Sequence, residues 1–423
     1  MKRHFSSATP PLGWNSWDCF GVDATEEEIK VNAQYVADNL KQYGWEYIVL
    51  DLGWYAPEIT IANYKTHNIP HILDEYGRLI PVESRIPSAA GGAGLKPLAD
   101  FVHSLGLKFG IHIMRGMPWR AALENMPIKG STARCGEITD DTDRCLWNDS
   151  MSGINATKEG AQAYYDSLIE LYSSWDVDFI KADDMGTWDG DGLNSPGRTD
   201  EMELLSEAIA KADREILLSI SPGAAYVGNA RHLANHATMW RISYDFWDNW
   251  EALKRQFPRC AAWADRKVMG HWPDCDMLPL GKISIRGDVG EARYTNFNEA
   301  EQYTLMSLWC IFQSPLMFGG HLPESDDLSL KLISNSEMIY VNQYGATPQQ
   351  AFADDNKIVW TSNDSKSDDI FVAIFNLTDA DATMSHELTF TPTQITELWS
   401  GEACNTLQAN IAPHGAKVFR VKK

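Results

Sequence analysis

Residues 179–185 read Phe-Ile-Lys-Ala-Asp-Asp-Met, an apolar run that closes on two carboxylates. Side chains alternate along an extended strand, so Lys181 and Asp183 share one face. The same form, a short apolar run followed by a polar loop and an amphipathic helix, recurs on both sides of this segment. Strands are expected at 12–17, 47–51, 108–114, 179–183, 217–221, 239–243, 267–272 and 315–319. Helical periodicity marks 26–42, 95–105, 160–175, 201–211, 250–257 and 300–312, and Thr25 with Glu28 forms a capping box before the first of these. Continuous apolar strands alternating with helices imply a parallel sheet covered on its outer face. Eight such strands over roughly 320 residues point to an α/β fold, a (β/α)8 TIM barrel with long insertions. Beyond Gln350 the runs become short and β-like, at 358–361, 370–375, 386–390, 396–399 and 416–421. Asn, Asp, Ser and Gly separate them, as in an antiparallel β-sandwich. The expected division is a catalytic barrel over 1–345 and a C-terminal β-sandwich over 346–423.

The 423 residues carry a formal net charge of −22, which repels nucleic acid and anionic membrane surfaces alike. No window approaches the length of a membrane helix. The start, MKRHFSSATPPLGW, has no apolar run before Pro10 and Pro11, so a cytoplasmic location is expected. The seven cysteines (19, 135, 145, 260, 275, 310 and 404) are odd in number and form no CxxC pair, which argues against a zinc or disulfide framework. In an exported chain Cys135 and Cys145 could bridge locally. Of the 16 tryptophans most are assigned to the core; any in a cleft would offer flat faces to sugar rings.

Carboxylates collect at the C-terminal ends of the expected strands. Asp51 closes the second, Asp183 the fourth, Asp245 follows the sixth, and Asp274 and Asp276 follow the seventh. A single strand-end Asp often caps the next helix. Several on the face where barrel enzymes keep their reacting groups point to a site. The Lys181 ammonium favours an ionised Asp183, which suits a nucleophile; the alternative is a buried structural ion pair. In WRISYDFWDNW (240–250) aromatic neighbours are expected to desolvate Asp245 and raise its pKa, as a general acid requires, with Arg241 as a clamp. Two carboxyls in unlike environments are the acid/base pattern of glycoside hydrolysis. That chemistry needs neither cofactor nor metal. Competing readings are a Schiff-base lysine at Lys181, a metal hydrolase using His112 and His271 without HxH or HExxH spacing, and a barrel that binds glycans without turning them over.

The segments PPLGWNSWDCF (10–20), EYIVLDLGWY (46–55), FIKADDM, WRISYDFWDNW, HWPDCDML (271–278), SPLMFGG (314–320) and SNSEMIYVNQ (334–343) occur in an order that resembles glycoside hydrolase family 27 of clan D. This is the α-galactosidase and α-N-acetylgalactosaminidase family, and the resemblance covers nearly the whole chain. It implies a retaining exo-α-glycosidase acting on terminal α-D-galactosyl residues, with a carbohydrate as its partner. Asp183 matches the nucleophile and Asp245 the acid/base. Trp17, Asp51, His112, Lys181, Ser221, Ala224, Arg241 and Asp276 fall at or beside sugar-contacting positions. Three departures bear on the sugar. Asp51–Leu52 stands where galactose-specific members have two adjacent Asp residues that hold O4 and O6. His112 and Arg115 in IHIMRGMPW (111–119) replace a Tyr-x-Asp stretch, and Asp184–Met185 replaces Asn–Cys. Ser221-Pro222-Gly223-Ala224 is the small-residue version of the strand-five loop, which in relatives makes room for a 2-acetamido group. N-acetylgalactosamine and β-L-arabinopyranose are therefore alternative sugars.

Overall fold

The computed structural model describes residues 5–66, 69–145, 147–148, 150–186, 197–221 and 223–423. Eight parallel strands form the main sheet: β1 (Leu12–Asn15), β2 (Tyr47–Leu50), β3 (Lys108–Met114), β4 (Phe179–Asp183), β5 (Leu217–Ile220), β6 (Met239–Arg241), β7 (Trp272–Asp274) and β8 (Leu316–Phe318). Their spatial order is β7-β6-β5-β4-β3-β2-β1-β8. A parallel bridge from Leu278, just past β7, to Phe318 on β8 joins the two ends. The expected TIM barrel is the fold found, with helices around it.

Two elements of the barrel differ from expectation. The run 267–272 is not a strand: Met269 is 95% exposed in a turn closed by Gly270, whose φ of +84° favours glycine, and the strand begins at Trp272. The helix expected to stop before Pro258 continues as Trp250–Ala264. An internal proline costs a hydrogen bond, but Leu253, Phe257, Cys260 and Trp263 are buried on both sides of it and hold the helix together.

Between β3 and β4 the chain inserts a three-stranded antiparallel sheet of Met117–Pro118, Met151–Ile154 and Thr139–Arg144. Arg115 anchors it. Its guanidinium reaches Asp143 on the insertion at 3.0 Å, Asp184 beyond β4 at 2.9 Å and Glu201 on the Thr199–Lys211 helix at 2.5 Å. Arg115 is thus a structural tie and not a sugar contact.

After the Ser336–Tyr344 helix the chain enters β9 (Gly345–Ala353), β10 (Lys357–Asp364), β11 (Ile370–Asn376), β12 (Ala382–Ser385), β13 (Gln394–Glu397), β14 (Ala403–Cys404), β15 (Gln408–Ile411) and β16 (Ala416–Lys422). A six-stranded sheet runs β9-β10-β11-β16-β13-β14, and β12 pairs with β15. The run expected at 386–390 is not a strand; β12 precedes it. Strand β9 was not anticipated, because its residues are mostly polar or exposed. One face of the sheet joins the barrel's core through Trp360, Phe371 and Val418, with Phe257 against Phe375 and Phe312 against Trp360. Val359, Val372, Ile374 and Phe419 form a second core on the other face with Met384 of β12 and Ile411 of β15. All seven cysteines are free, Cys135 and Cys145 included. No helix among the described residues is long and apolar enough to cross a membrane.

Replacing Arg115 by Met should leave two buried carboxylates without their cation. The expected loss is about 3–5 kcal/mol, read from denaturant unfolding. A loss below about 1 kcal/mol would show that the tie contributes nothing net.

Candidate active site

The C-terminal ends of the strands open into a cleft of about 420 Å³, within the size range of small-ligand sites. Asp51, Lys181, Asp183, Ser221, Arg241, Asp245, Asp276 and Trp17 all line it. Parallel strands make this convergence unavoidable, since each delivers its last residues to the same rim.

Asp183 ends β4 with 11% of its side chain exposed. Its Oδ2 receives a hydrogen bond from His112 Nε2 at 2.8 Å and its Oδ1 one from the Asp184 backbone N–H at 2.5 Å. A carboxylate in this arrangement accepts, so Nε2 carries the imidazole proton. His112 is 1% exposed and does not line the cleft. Expected to touch sugar, it instead stands behind Asp183, in register with Lys181 on the neighbouring strand. The Trp54 indole donates to its carbonyl at 2.9 Å and steadies it from behind.

Lys181 does not bond to Asp183 as expected. Its ammonium donates to Asp51 Oδ2 at 2.8 Å, where the Asn15 amide donates too at 2.7 Å. Asp51 Oδ1 accepts the Leu52 N–H at 2.8 Å. Burial pushes the Asp51 carboxyl up, but Lys181 and His112 outweigh it and hold the group well below the usual carboxylate range. Burial likewise opposes the Lys181 charge, and Asp51 with Asp183 more than restores it.

On the opposite wall Arg241 Nη2 bridges Asp276 Oδ2 at 2.9 Å and Asp245 Oδ1 at 3.3 Å. Asp276 sits in a left-handed turn at φ +88° and accepts the Phe246 N–H at 2.7 Å. Burial raises its carboxyl, with Arg241 partly offsetting the rise. Asp274 beneath it is pushed up to about 7, by burial first and then by the charge of Asp276. Asp245 itself is not desolvated as expected: 57% of its side chain is exposed. Trp240 and Phe246 turn inward instead, against Trp263 and Trp309.

The strand-five loop contributes unequally. Ser221 lines the cleft with its hydroxyl buried and without a partner. Ala224 is buried outside the cleft lining, because the chain turns at Gly223 (φ +88°) and Ala225 N–H bonds the Arg241 carbonyl at 2.9 Å. Pro222 lies outside the described residues.

Several lining residues carry no strand-end signal. Tyr64 comes from the long loop after β2 and Trp147 from the β3–β4 insertion, and with Trp17 they form an edge-to-face series at 5.6 and 6.2 Å. Asp18 and Met277 adjoin singled-out residues and were legible only by adjacency. Asp18 has one carboxylate oxygen without a partner, and burial, then the charge of Asp276, push it well above the usual range.

Residues 144–344 match the α-galactosidase A family and residues 354–421 its C-terminal β-sandwich domain. An α-galactosidase from Oryza sativa subsp. japonica is 24% identical, over 97% of this chain and 84% of that protein. The solved family 27 β-L-arabinopyranosidase from Geobacillus stearothermophilus is 44% identical with a TM-score of 0.95, covering 99% of this chain and 97% of its own. A candidate α-N-acetylgalactosaminidase from Bacillus halodurans C-125 is 42% identical with a TM-score of 0.88, covering 99% of both chains. With a carboxylate-lined cleft at the mouth of the barrel and likeness along its whole length, the chain is a glycosidase and belongs to glycoside hydrolase family 27, the family of the α-galactosidases.

Proposed function

We propose that the protein is a retaining exo-glycosidase for sugars of the α-galacto configuration, with terminal β-L-arabinopyranosides as its preferred substrates. β-L-Arabinopyranose has the ring of α-D-galactose without the C6 hydroxymethyl group. The observation that carries this reading is the pair Asp51–Leu52. One carboxylate, already engaged by Lys181 and Asn15, stands beside an apolar wall where a galactose site would present a second acceptor. A pentopyranose needs no partner for O6 and leaves Leu52 in apolar contact. The similarity to the Geobacillus arabinopyranosidase supports the same choice.

Catalysis runs in two steps with Asp183 as nucleophile and Asp245 as acid/base. The Asp183 carboxylate attacks the anomeric carbon while the glycosidic C–O bond breaks and Asp245 gives its proton to the leaving oxygen. Asp245 then takes a proton from water, whose oxygen attacks the same carbon and releases Asp183, restoring the original configuration. His112 and the Asp184 N–H orient Asp183 for attack. The exposure of Asp245 suits a group that must meet leaving group and water in turn, and the bound aglycone supplies its desolvation. Lys181, Asp51 and Arg241 serve hydroxyl groups of the ring, and Trp17 offers an aromatic surface.

The unpartnered Ser221 hydroxyl favours a second reading, since a small residue on this wall leaves room for a 2-acetamido group. A panel of nitrophenyl glycosides decides. β-L-arabinopyranoside should be preferred over α-D-galactoside by roughly 10–200-fold in kcat/KM, the discrimination one carbon commonly provides. Preference for N-acetylgalactosaminide would select the second reading. Leu52→Asp should narrow the first ratio, and Leu52→Ala should narrow it by space alone. Asp183→Ala should abolish turnover, with azide restoring it and giving a product of inverted configuration; near-normal activity would exclude Asp183 as nucleophile. Asp245→Ala should lose about 10²–10⁴-fold on substrates with poor leaving groups and much less on good ones. A uniform loss would contradict the acid role.

A further inference from the structure

Outside the cleft, two helices on the barrel's outer layer bring two imidazoles and a carboxylate together. His232 and His236 are one turn apart on the Ala230–His236 helix, with ring centroids 4.5 Å apart and planes inclined by 31°. Glu203 faces them from the Thr199–Lys211 helix, its Oε1 3.1 Å from His232 Nε2. One ligand atom from each residue lies within 4.8 Å of the others, a grouping found here alone among the described residues. We propose that Glu203, His232 and His236 form a binding site for a divalent transition metal of the zinc class, which pins the helix after β4 to the helix after β5.

The surroundings fit such a site. Ser206 Oγ lies 3.0 Å from the Glu203 carbonyl and 2.6 Å from His236 Nδ1. When its one proton goes to the carbonyl, the hydroxyl accepts from Nδ1–H, the tautomer that an outer hydrogen bond selects in a metal-binding histidine and that turns the Nε2 lone pair to the metal. His232 Nδ1 is buried and unpartnered, so the protein's polar contact for this ring is made on the Nε2 side, toward Glu203. Two imidazoles and one carboxylate suit zinc, nickel or copper, whereas calcium and magnesium demand oxygen ligands. Metal–ligand distances of about 2.0–2.2 Å require the donors to draw closer. Glu203, with 51% of its side chain exposed, is free to supply that movement. Water completes the coordination. The site lies apart from Asp183 and Asp245 and takes no part in the glycosidase chemistry, so its effect is on stability.

The test uses the full chain without an affinity tag, stripped with EDTA and titrated with ZnCl₂ by calorimetry. The wild type should bind one equivalent, and a hundred-fold excess over Kd should raise the melting temperature by about 3 °C. His232→Ala should weaken binding by about tenfold or more, as should Glu203→Gln, which alters an exposed side chain and leaves folding intact. Turnover of aryl glycosides should be the same with and without chelator. Absence of binding, equal binding in the variants, or loss of turnover with EDTA would each overturn the proposal.

Discussion

Two buried cations, Lys181 and Arg241, make the mouth of this barrel possible. Eight parallel strands direct their C-terminal residues to one rim, and five of the side chains arriving there (Asp18, Asp51, Asp183, Asp245 and Asp276) are carboxylic acids. Like charges crowded in a low-dielectric cleft repel strongly. Lys181 meets Asp51 at 2.8 Å and Arg241 meets Asp276 at 2.9 Å, so one cation steadies each wall. Removing one partner of such a buried pair typically costs about 3–5 kcal/mol, because the other is left uncompensated. The same pairings set the division of labour. Asp51 is held ionised as an acceptor, whereas Asp274, one layer further in, is pushed up to about 7 by burial and the neighbouring Asp276.

The remaining structure serves this arrangement. His112 and the Asp184 N–H fix Asp183 on β4. Arg115 ties the β3–β4 insertion to the barrel, and that insertion carries Trp147 to the cleft beside Tyr64 and Trp17. Below, the C-terminal sheet is a continuation of the barrel's core. His414 stacks on Trp250 at 4.0 Å, and the Trp399 indole bonds Ser307 at 2.9 Å. The sandwich thereby buttresses the helices that begin after β6 and before β8.

The barrel was legible because its rule is local: each strand is an apolar run closed by a polar residue, and β3 and β4 fall on their expected bounds. Legibility failed where contacts distant in sequence override local pattern. Apolar Val268 and Met269 imitate a strand yet sit exposed in a turn, while polar β9 is a strand because β10 offers it a partner. The helix through Pro258 persists on packing alone. In the cleft, residues at strand ends were found and those on long loops were missed, since nothing local marks Tyr64 or Trp147 as neighbours of Trp17.

By itself the sequence determined the fold class, the family and the set of strand-end carboxylates, because alternation and spacing are properties of neighbouring residues. The tertiary structure decided which charges pair. Lys181 shares a strand face with Asp183 but donates its hydrogen bond to Asp51, and His112 moves from expected sugar contact to support for Asp183. Asp245 keeps its exposure although aromatic residues surround it in the chain, because Trp240 and Phe246 pack against Trp263 and Trp309 while Tyr244 and Trp247 line the open cleft without covering it. Hydrogen bonding and desolvation depend on distance in space, which the order of residues along a chain does not specify.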